Sequence, residues 1–98
     1  MSATDPTFYE RADAHIQLSN AQLAASSGPA VAASMAWATT RFNAWLCANM
    51  YKTKDEMARH RDEAIAALSE HYTQQLRENF DDYIENFDTY LNPVVAAR

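Results

Sequence analysis

The sequence predicts an all-α fold, in which a helical hairpin is followed by one long third helix in a three-helix bundle-like arrangement. Strand signals are missing, because no run alternates apolar and polar residues over several positions. Helix breakers are few and divide the chain clearly: Pro6, Gly28, Pro29 and Pro93. The segments between them carry apolar residues at helical spacing. With 98 residues, the chain is expected to form a single helical domain, 1–98.

The first predicted helix spans about residues 5–26 and the second about residues 30–50. Thr4 and Asp5 are each able to cap the first helix, and Pro6 suits its first turn. Gly28 is expected to end the first helix in the left-handed conformation. The second helix presents these residues on one face: Val31, Met35, Ala38, Phe42, Trp45 and Leu46. Trp37 falls on another side, which predicts burial all round.

Between Ala14 and Tyr51 the only full charge is Arg41. In a soluble protein, so long a nearly uncharged helical segment must be covered on most sides, so the second helix is expected to be the central element. A guanidinium buried there needs a partner, because an unpaired buried charge is costly. In a hairpin that turns near residue 28, Asp13 lies opposite Arg41, and we expect an ion pair between them.

Two amides are expected to join this pair, which gives a polar cluster of Asp13, Asn20, Arg41 and Asn43. Two interpretations of the cluster remain open. It is either a buried structural element that sets the specificity of the fold or a polar spot in a pocket that recognises a ligand.

The third predicted helix spans about residues 54–91. It begins at a capping box, in which Thr53 and Glu56 satisfy two free backbone amides. It ends at Pro93, and residues 93–98 are expected to be a flexible tail. An unbroken helix of this length would reach about 55 Å, which is longer than the hairpin that it covers. We therefore expect it to bend near residues 69–72 or to project toward another chain.

The end of the third helix contains an internal repeat, ENFDDYI at residues 78–84 and ENFDTYL at residues 85–91. On a helical wheel its apolar residues lie on one side and five acids lie opposite. Two heptads are fewer than a coiled coil needs, so an amphipathic helix lying on its own core is the alternative. We expect dimerisation through an interface of Phe80, Tyr83, Ile84, Phe87, Tyr90 and Leu91.

The sequence predicts no catalytic, cofactor or metal site. Phosphate-binding loops and nucleophile elbows need several glycines, and structural zinc sites need several cysteines. Glu56 and His60 lie one turn apart and could hold a metal weakly, and the acids at 78–88 could hold a divalent cation loosely. For both we favour solvated helix surfaces. Cys47, on an apolar helix, is expected to be an inert thiol.

Charge and composition narrow the partners and the compartment. The net charge is −5, and an acidic surface at 78–88 repels phosphate backbones, so we expect no nucleic-acid binding unless a basic partner subunit supplies it. No stretch of 18 apolar residues is uninterrupted, which predicts no membrane span. The single cysteine fits a reducing compartment, and the first residues lack the regions of a signal peptide, so a cytoplasmic location is expected.

Three segments resemble a small bacterial family catalogued as domain of unknown function 3144. They are FYERAD at residues 8–13, with its continuation to Asn20, RFNA at residues 41–44 and ENFDDY at residues 78–83. The resemblance covers roughly residues 8–90. It implies a short helical bacterial protein with no assigned activity, so no catalytic residues can be transferred.

The sequence as a whole favours a non-catalytic, homo-oligomeric interaction or scaffold protein, with self-association as the main expected contact and an unknown protein partner as a further possibility. The alternative is a small-molecule-binding protein or an enzyme that uses a cleft near Asp13, Arg41 and Trp45. No cofactor is expected in either case.

Overall fold

The computed structural model describes residues 5–91, which contain five α-helices and no strand. The helices are α1 (Phe8–Gln22), α2 (Gly28–Ala48), α3 (Lys54–Arg59), α4 (Arg61–Glu85) and α5 (Phe87–Leu91). The all-α class is confirmed, whereas the prediction of three helices is wrong. The predicted tail at 93–98 lies outside the described residues. No helix in the described range is long and apolar enough to cross a membrane.

The chain divides into two compact units at the bond between Met50 and Tyr51. The first unit contains α1 and α2, and the second contains α3, α4 and α5. The prediction of one domain over residues 1–98 stays a prediction.

An ion pair and a polar side chain support the start of α1. Arg11 donates hydrogen bonds to the Asp5 carboxylate and to Thr7 Oγ1, while Phe8 N donates to Asp5 O at 3.2 Å. The charge-assisted bond from Arg11 holds the pKa of Asp5 below its ordinary value. Asp5 therefore stabilises the start of the helix as an ion-pair partner rather than as a capping side chain. Thr4, the other predicted cap, lies outside the described residues.

The turn between α1 and α2 differs from the prediction. Ala24 N and Ala25 N donate to carbonyls three residues earlier, so the chain tightens after Gln22 and α1 ends sooner than residue 26. Gly28 does not take a positive φ and instead opens α2. Ser27 is the reason, because its Oγ accepts a hydrogen bond from Ala30 N at 3.2 Å and caps the helix. The next proline fits the first turn.

The start of the second unit follows the predicted capping box. Thr53 Oγ1 accepts from Glu56 N at 3.1 Å, and Glu56 Oε1 accepts from Lys52 N at 2.8 Å. The returning bond reaches the residue before the cap rather than the cap itself. Two orphan amides are still satisfied, so the box is confirmed in its physical role.

The predicted third helix is broken twice, at His60 and at Asn86, and not near residues 69–72, where α4 is continuous. The His60 ring stacks on Tyr51 with centroids 5.5 Å apart, and its Nδ1 lies 3.3 Å from Glu63 Oε1. These contacts hold His60 at φ −100° and ψ 5°, outside helical geometry.

At the second break, Asn86 Nδ2 donates to Asp82 O at 3.1 Å and to Asp82 Oδ1 at 2.9 Å. An asparagine that bonds the preceding turn in this way competes with the helical backbone, and Asn86 adopts φ −110° and ψ 26°. Helix α5 begins at the next residue.

Candidate functional site

The second predicted helix is not enclosed in the single chain. Among the described residues only Val31 is buried, at 6% exposure. Trp37, Phe42 and Trp45 retain 65%, 59% and 58% of their accessible surface. The expectation that α2 is covered on most sides is therefore wrong for one chain, because α1 and α2 leave large aromatic side chains of α2 in contact with water.

The predicted polar cluster does not form in the single chain. Asp13, Asn20 and Arg41 are exposed, and Asn43 is half-buried. Within residues 5–91 no ion pair joins Asp13 to Arg41, so the expected contact between them is absent from the single chain. The physical reason is exposure, since water solvates the guanidinium and removes the need for a buried counter-charge.

Arg41 instead contacts an aromatic ring of its own helix. Its guanidinium carbon lies 5.8 Å from the centroid of the Trp37 ring, one turn earlier. This distance is within the range of cation–π attraction. Phe42 and Trp45 stack on each other on the same helix, with centroids 5.7 Å apart. We call the set of Trp37, Arg41, Phe42 and Trp45 the α2 aromatic surface.

Asp13 lies beside a shallow hollow on α1. The hollow has a volume of about 510 Å³ and is lined by Tyr9, Glu10, Asp13 and Ile16. It combines two carboxylates with two exposed apolar side chains. Neither Arg41 nor Trp45 lines it, so the predicted cleft near Asp13, Arg41 and Trp45 is not brought together around this hollow.

A second recess lies where α1 and α2 face each other. It measures about 160 Å³ and is lined by His15, Leu18, Ser19, Gln22, Ser34, Met35 and Ala38. The Ser34 hydroxyl donates back to Ala30 O and Val31 O, each at 3.1 Å, so its donor is used within its own helix. No motif in the sequence marks this recess, because its polar residues are spread over two helices.

The six residues of the predicted oligomer interface are all exposed in the single chain, and Ile84 reaches 70%. They do not share one helix, because the break at Asn86 divides them into three in α4 and three in the short α5. We call Phe80, Tyr83, Ile84, Phe87, Tyr90 and Leu91 the α4–α5 patch. Its two tyrosines contact each other, with ring centroids 4.8 Å apart.

An acid of the repeat also contacts this patch. Tyr90 Oη donates to Asp82 Oδ2 at 3.0 Å. This hydrogen bond to a carboxylate raises the pKa of the Tyr90 phenol above its ordinary value. In a continuous helix Asp82 would lie on the side opposite the patch, so the sequence pattern does not predict this contact.

The described residues contain no group of three or more His, Cys, Asp or Glu side chains placed to hold a metal ion. Glu56 and His60 have other partners, namely the amide of Lys52 and the carboxylate of Glu63. Cys47 is a free thiol and is half-buried.

The comparisons with known proteins agree with the fold. A family model described as "Protein of unknown function (DUF3144)" matches residues 8–84. An NMR structure of the protein NB7890A from Shewanella sp. is similar, with a TM-score of 0.73 and 38% sequence identity over 85% of this chain and 88% of that chain. A search of curated proteins found no match.

Proposed function

This chain belongs to the DUF3144 family, and we propose that it is a cytoplasmic, non-catalytic interaction or scaffold module that acts by associating with copies of itself. A protein partner of another kind would then bind the assembled form. The free thiol of Cys47 is compatible with the reducing compartment that this proposal names.

One observation carries the proposal: the imbalance between buried and exposed apolar side chains. Of the described residues, one hydrophobic side chain is buried, while 20 large ones are exposed. Isolated exposed apolar residues are normal, but contiguous sets of them mark interaction sites. Covering them removes apolar surface from water, which stabilises the assembly by about 25 cal/mol for each Å² buried.

The exposed side chains are also grouped in a way that favours specific association. The α2 aromatic surface and the α4–α5 patch each combine several aromatic rings, which are the residues that dominate protein interfaces. The α4–α5 patch lies on a segment whose acids include Glu78, Asp81 and Glu85. Such charges at the edge of an apolar patch keep the chain soluble and limit unspecific aggregation.

The alternative, a small-molecule-binding protein or an enzyme with a cleft near Asp13, Arg41 and Trp45, has less support. Only Asp13 of these residues lines a hollow, and the hollow is shallow. Ligand sites of small molecules are usually concave and enclosed.

Light scattering on the purified chain tests the proposal. The expected molar mass is a multiple of 11.1 kDa at high concentration, and it decreases toward 11.1 kDa on dilution because the copies dissociate. Circular dichroism on the same samples checks that the helices are intact. A helical chain that stays at 11.1 kDa up to high micromolar concentration overturns the proposal.

A shift of the melting temperature with one class of metabolite, at unchanged molar mass, would instead favour the small-molecule alternative. The two results are independent, because ligand binding stabilises a monomer without changing its mass.

A further inference from the structure

The charges of the α1–α2 unit leave one basic and two acidic side chains without an ion-pair partner among the described residues. Arg11 and Asp5 satisfy each other. The side chains without an ion-pair partner in the described range are Glu10 and Asp13 on α1 and Arg41 on α2. The two helices thus carry complementary charges that do not meet within one chain.

Each of these charges is embedded in exposed apolar surface. Arg41 lies over Trp37 and next to Phe42 within the α2 aromatic surface. Asp13 lies in the hollow with Tyr9 and Ile16, which are 73% and 49% exposed. One surface presents a cation among aromatic rings, and the other presents carboxylates between a ring and an aliphatic chain.

The exposed area is close to what a stable dimer needs. A fully buried aromatic side chain covers about 150–250 Å², so Trp37, Phe42 and Trp45 at their observed exposure offer roughly 360 Å². Tyr9 and Ile16 raise the sum to roughly 600 Å² per copy. Specific interfaces start at about 1,200 Å² for both partners together.

We propose that the α2 aromatic surface of one copy docks on the hollow in α1 of a second copy, with Arg41 of each chain paired to Asp13 of the other. The inference rests on the proposed self-association and names its surfaces and its contact. In a twofold dimer, a residue pair that forms once forms twice, so both carboxylate–guanidinium contacts are made together. The second copy is the occupant because one chain carries both halves of the match.

Charge reversal tests the pairing. In D13R, the new arginine of each copy would face Arg41 of the other copy. In R41D, the new aspartate of each copy would face Asp13 of the other copy. Each variant alone is expected to associate at least tenfold more weakly than the wild type, because like charges then meet twice in a dimer. Glu70→Arg, on α4, changes the net charge as D13R does and is expected to leave association unchanged.

An equimolar mixture of D13R and R41D is the decisive sample. In a mixed dimer, Arg at position 13 of one copy faces Asp at position 41 of the other, and Asp13 faces Arg41 at the second contact. Association is therefore expected to return to the wild-type strength only when both variants are present. Sedimentation velocity measures the masses, and circular dichroism establishes that each variant is helical.

The outcomes separate the pairing from the proposed function. If the wild type associates and both single variants associate equally well, the pairing is wrong while self-association stands. If the variants dissociate and the mixture does not recover, the contact is not between copies and the pairing is again wrong. If the wild type is a monomer, both proposals are overturned.

Discussion

Tyr90 donates a hydrogen bond to the carboxylate of Asp82, eight residues earlier, with an oxygen–oxygen distance of 3.0 Å. In a continuous α-helix, residues eight apart are separated by about 12 Å along the axis. The contact therefore depends on the break at Asn86, which lets α5 turn back toward α4. It also determines how the phenol titrates.

We expect the Tyr90 phenol to titrate above its ordinary pKa of about 10. The folded-state pKa is raised, so the stabilisation from this contact is fully present below the unfolded pKa and is lost as the pH rises through the folded one. The measurement is a titration of the tyrosine ring signals by NMR. In Asp82→Asn the acceptor loses its charge, and the Tyr90 pKa should fall toward that of an exposed tyrosine.

Replacing Asn86 with alanine is expected to join α4 and α5 into one helix. Alanine removes the side chain that bonds the preceding turn and has a helix propensity better by about 0.5 kcal/mol. Backbone chemical shifts at residues 85–88 should become helical, and the Tyr90 pKa should drop because Asp82 is then out of reach. Shifts that keep the break would show that Asn86 is not its cause.

Asn79 provides a matched control for that variant, since it holds the same position in the preceding heptad. Its Nδ2 donates only to Gln75 O, at 2.9 Å, and the helix continues through it. Asn79→Ala is therefore expected to leave both the break and the Tyr90 titration unchanged.

The capping box at the start of α3 is expected to contribute to stability. Thr53→Ala removes the oxygen that accepts from Glu56 N and should lower the free energy of unfolding by about 1 kcal/mol. Thr53→Ser keeps the acceptor and should retain most of that stability. Urea unfolding followed by circular dichroism compares the two, and equal losses in both variants would contradict the capping role.

The α4–α5 patch is expected to take part in self-association. Ile84→Asp places a charge in its centre, where the wild-type side chain is 70% exposed in the single chain, and should weaken association at least tenfold. Gln74→Asp adds the same charge to the side of α4 that carries the acids and should have no such effect. Sedimentation of both variants gives the comparison, and equal association constants would remove this patch from the interface.

The sequence predicts the helical class well, but breakers fix helix ends less well, because α1 ends at Gln22 rather than near residue 26 and Gly28 begins α2 rather than ending α1. The all-α class, the hairpin connection before Ala30 and the capping box at Thr53 follow from local chemistry that the sequence displays directly. The limits of α2 fall within two residues of the prediction because Ser27 and Asn49 act at its ends.

The two breaks in the predicted third helix could not be predicted in the same way. His60 contacts the ring of Tyr51, nine residues earlier, and the carboxylate of Glu63, and no breaker marks the position. The heptad repeat predicts a continuous helix through Asn86, because its apolar residues keep helical spacing on both sides. The two asparagines differ in the residue four positions earlier, which is the amide Gln75 for Asn79 and the carboxylate Asp82 for Asn86.

The lack of charge in α2 predicts a helix that is covered on most sides, but it does not say whether one chain supplies the cover. The side chains of α2 are as apolar as expected, but Trp37 and Trp45 are exposed in the single chain. The number of chains that share an apolar surface is a property of the assembly, and the hydrophobic pattern of one sequence does not contain it.

The most direct test of the account is an isotope-filtered NMR experiment on a mixture of labelled and unlabelled chains. Cross-peaks between copies that involve the indole protons of Trp37 and Trp45 are expected, because these rings are exposed in the single chain and would be covered in the proposed dimer. If spectra at high micromolar concentration contain no cross-peak between copies and the relaxation rates are those of an 11.1 kDa monomer, the central claim is contradicted.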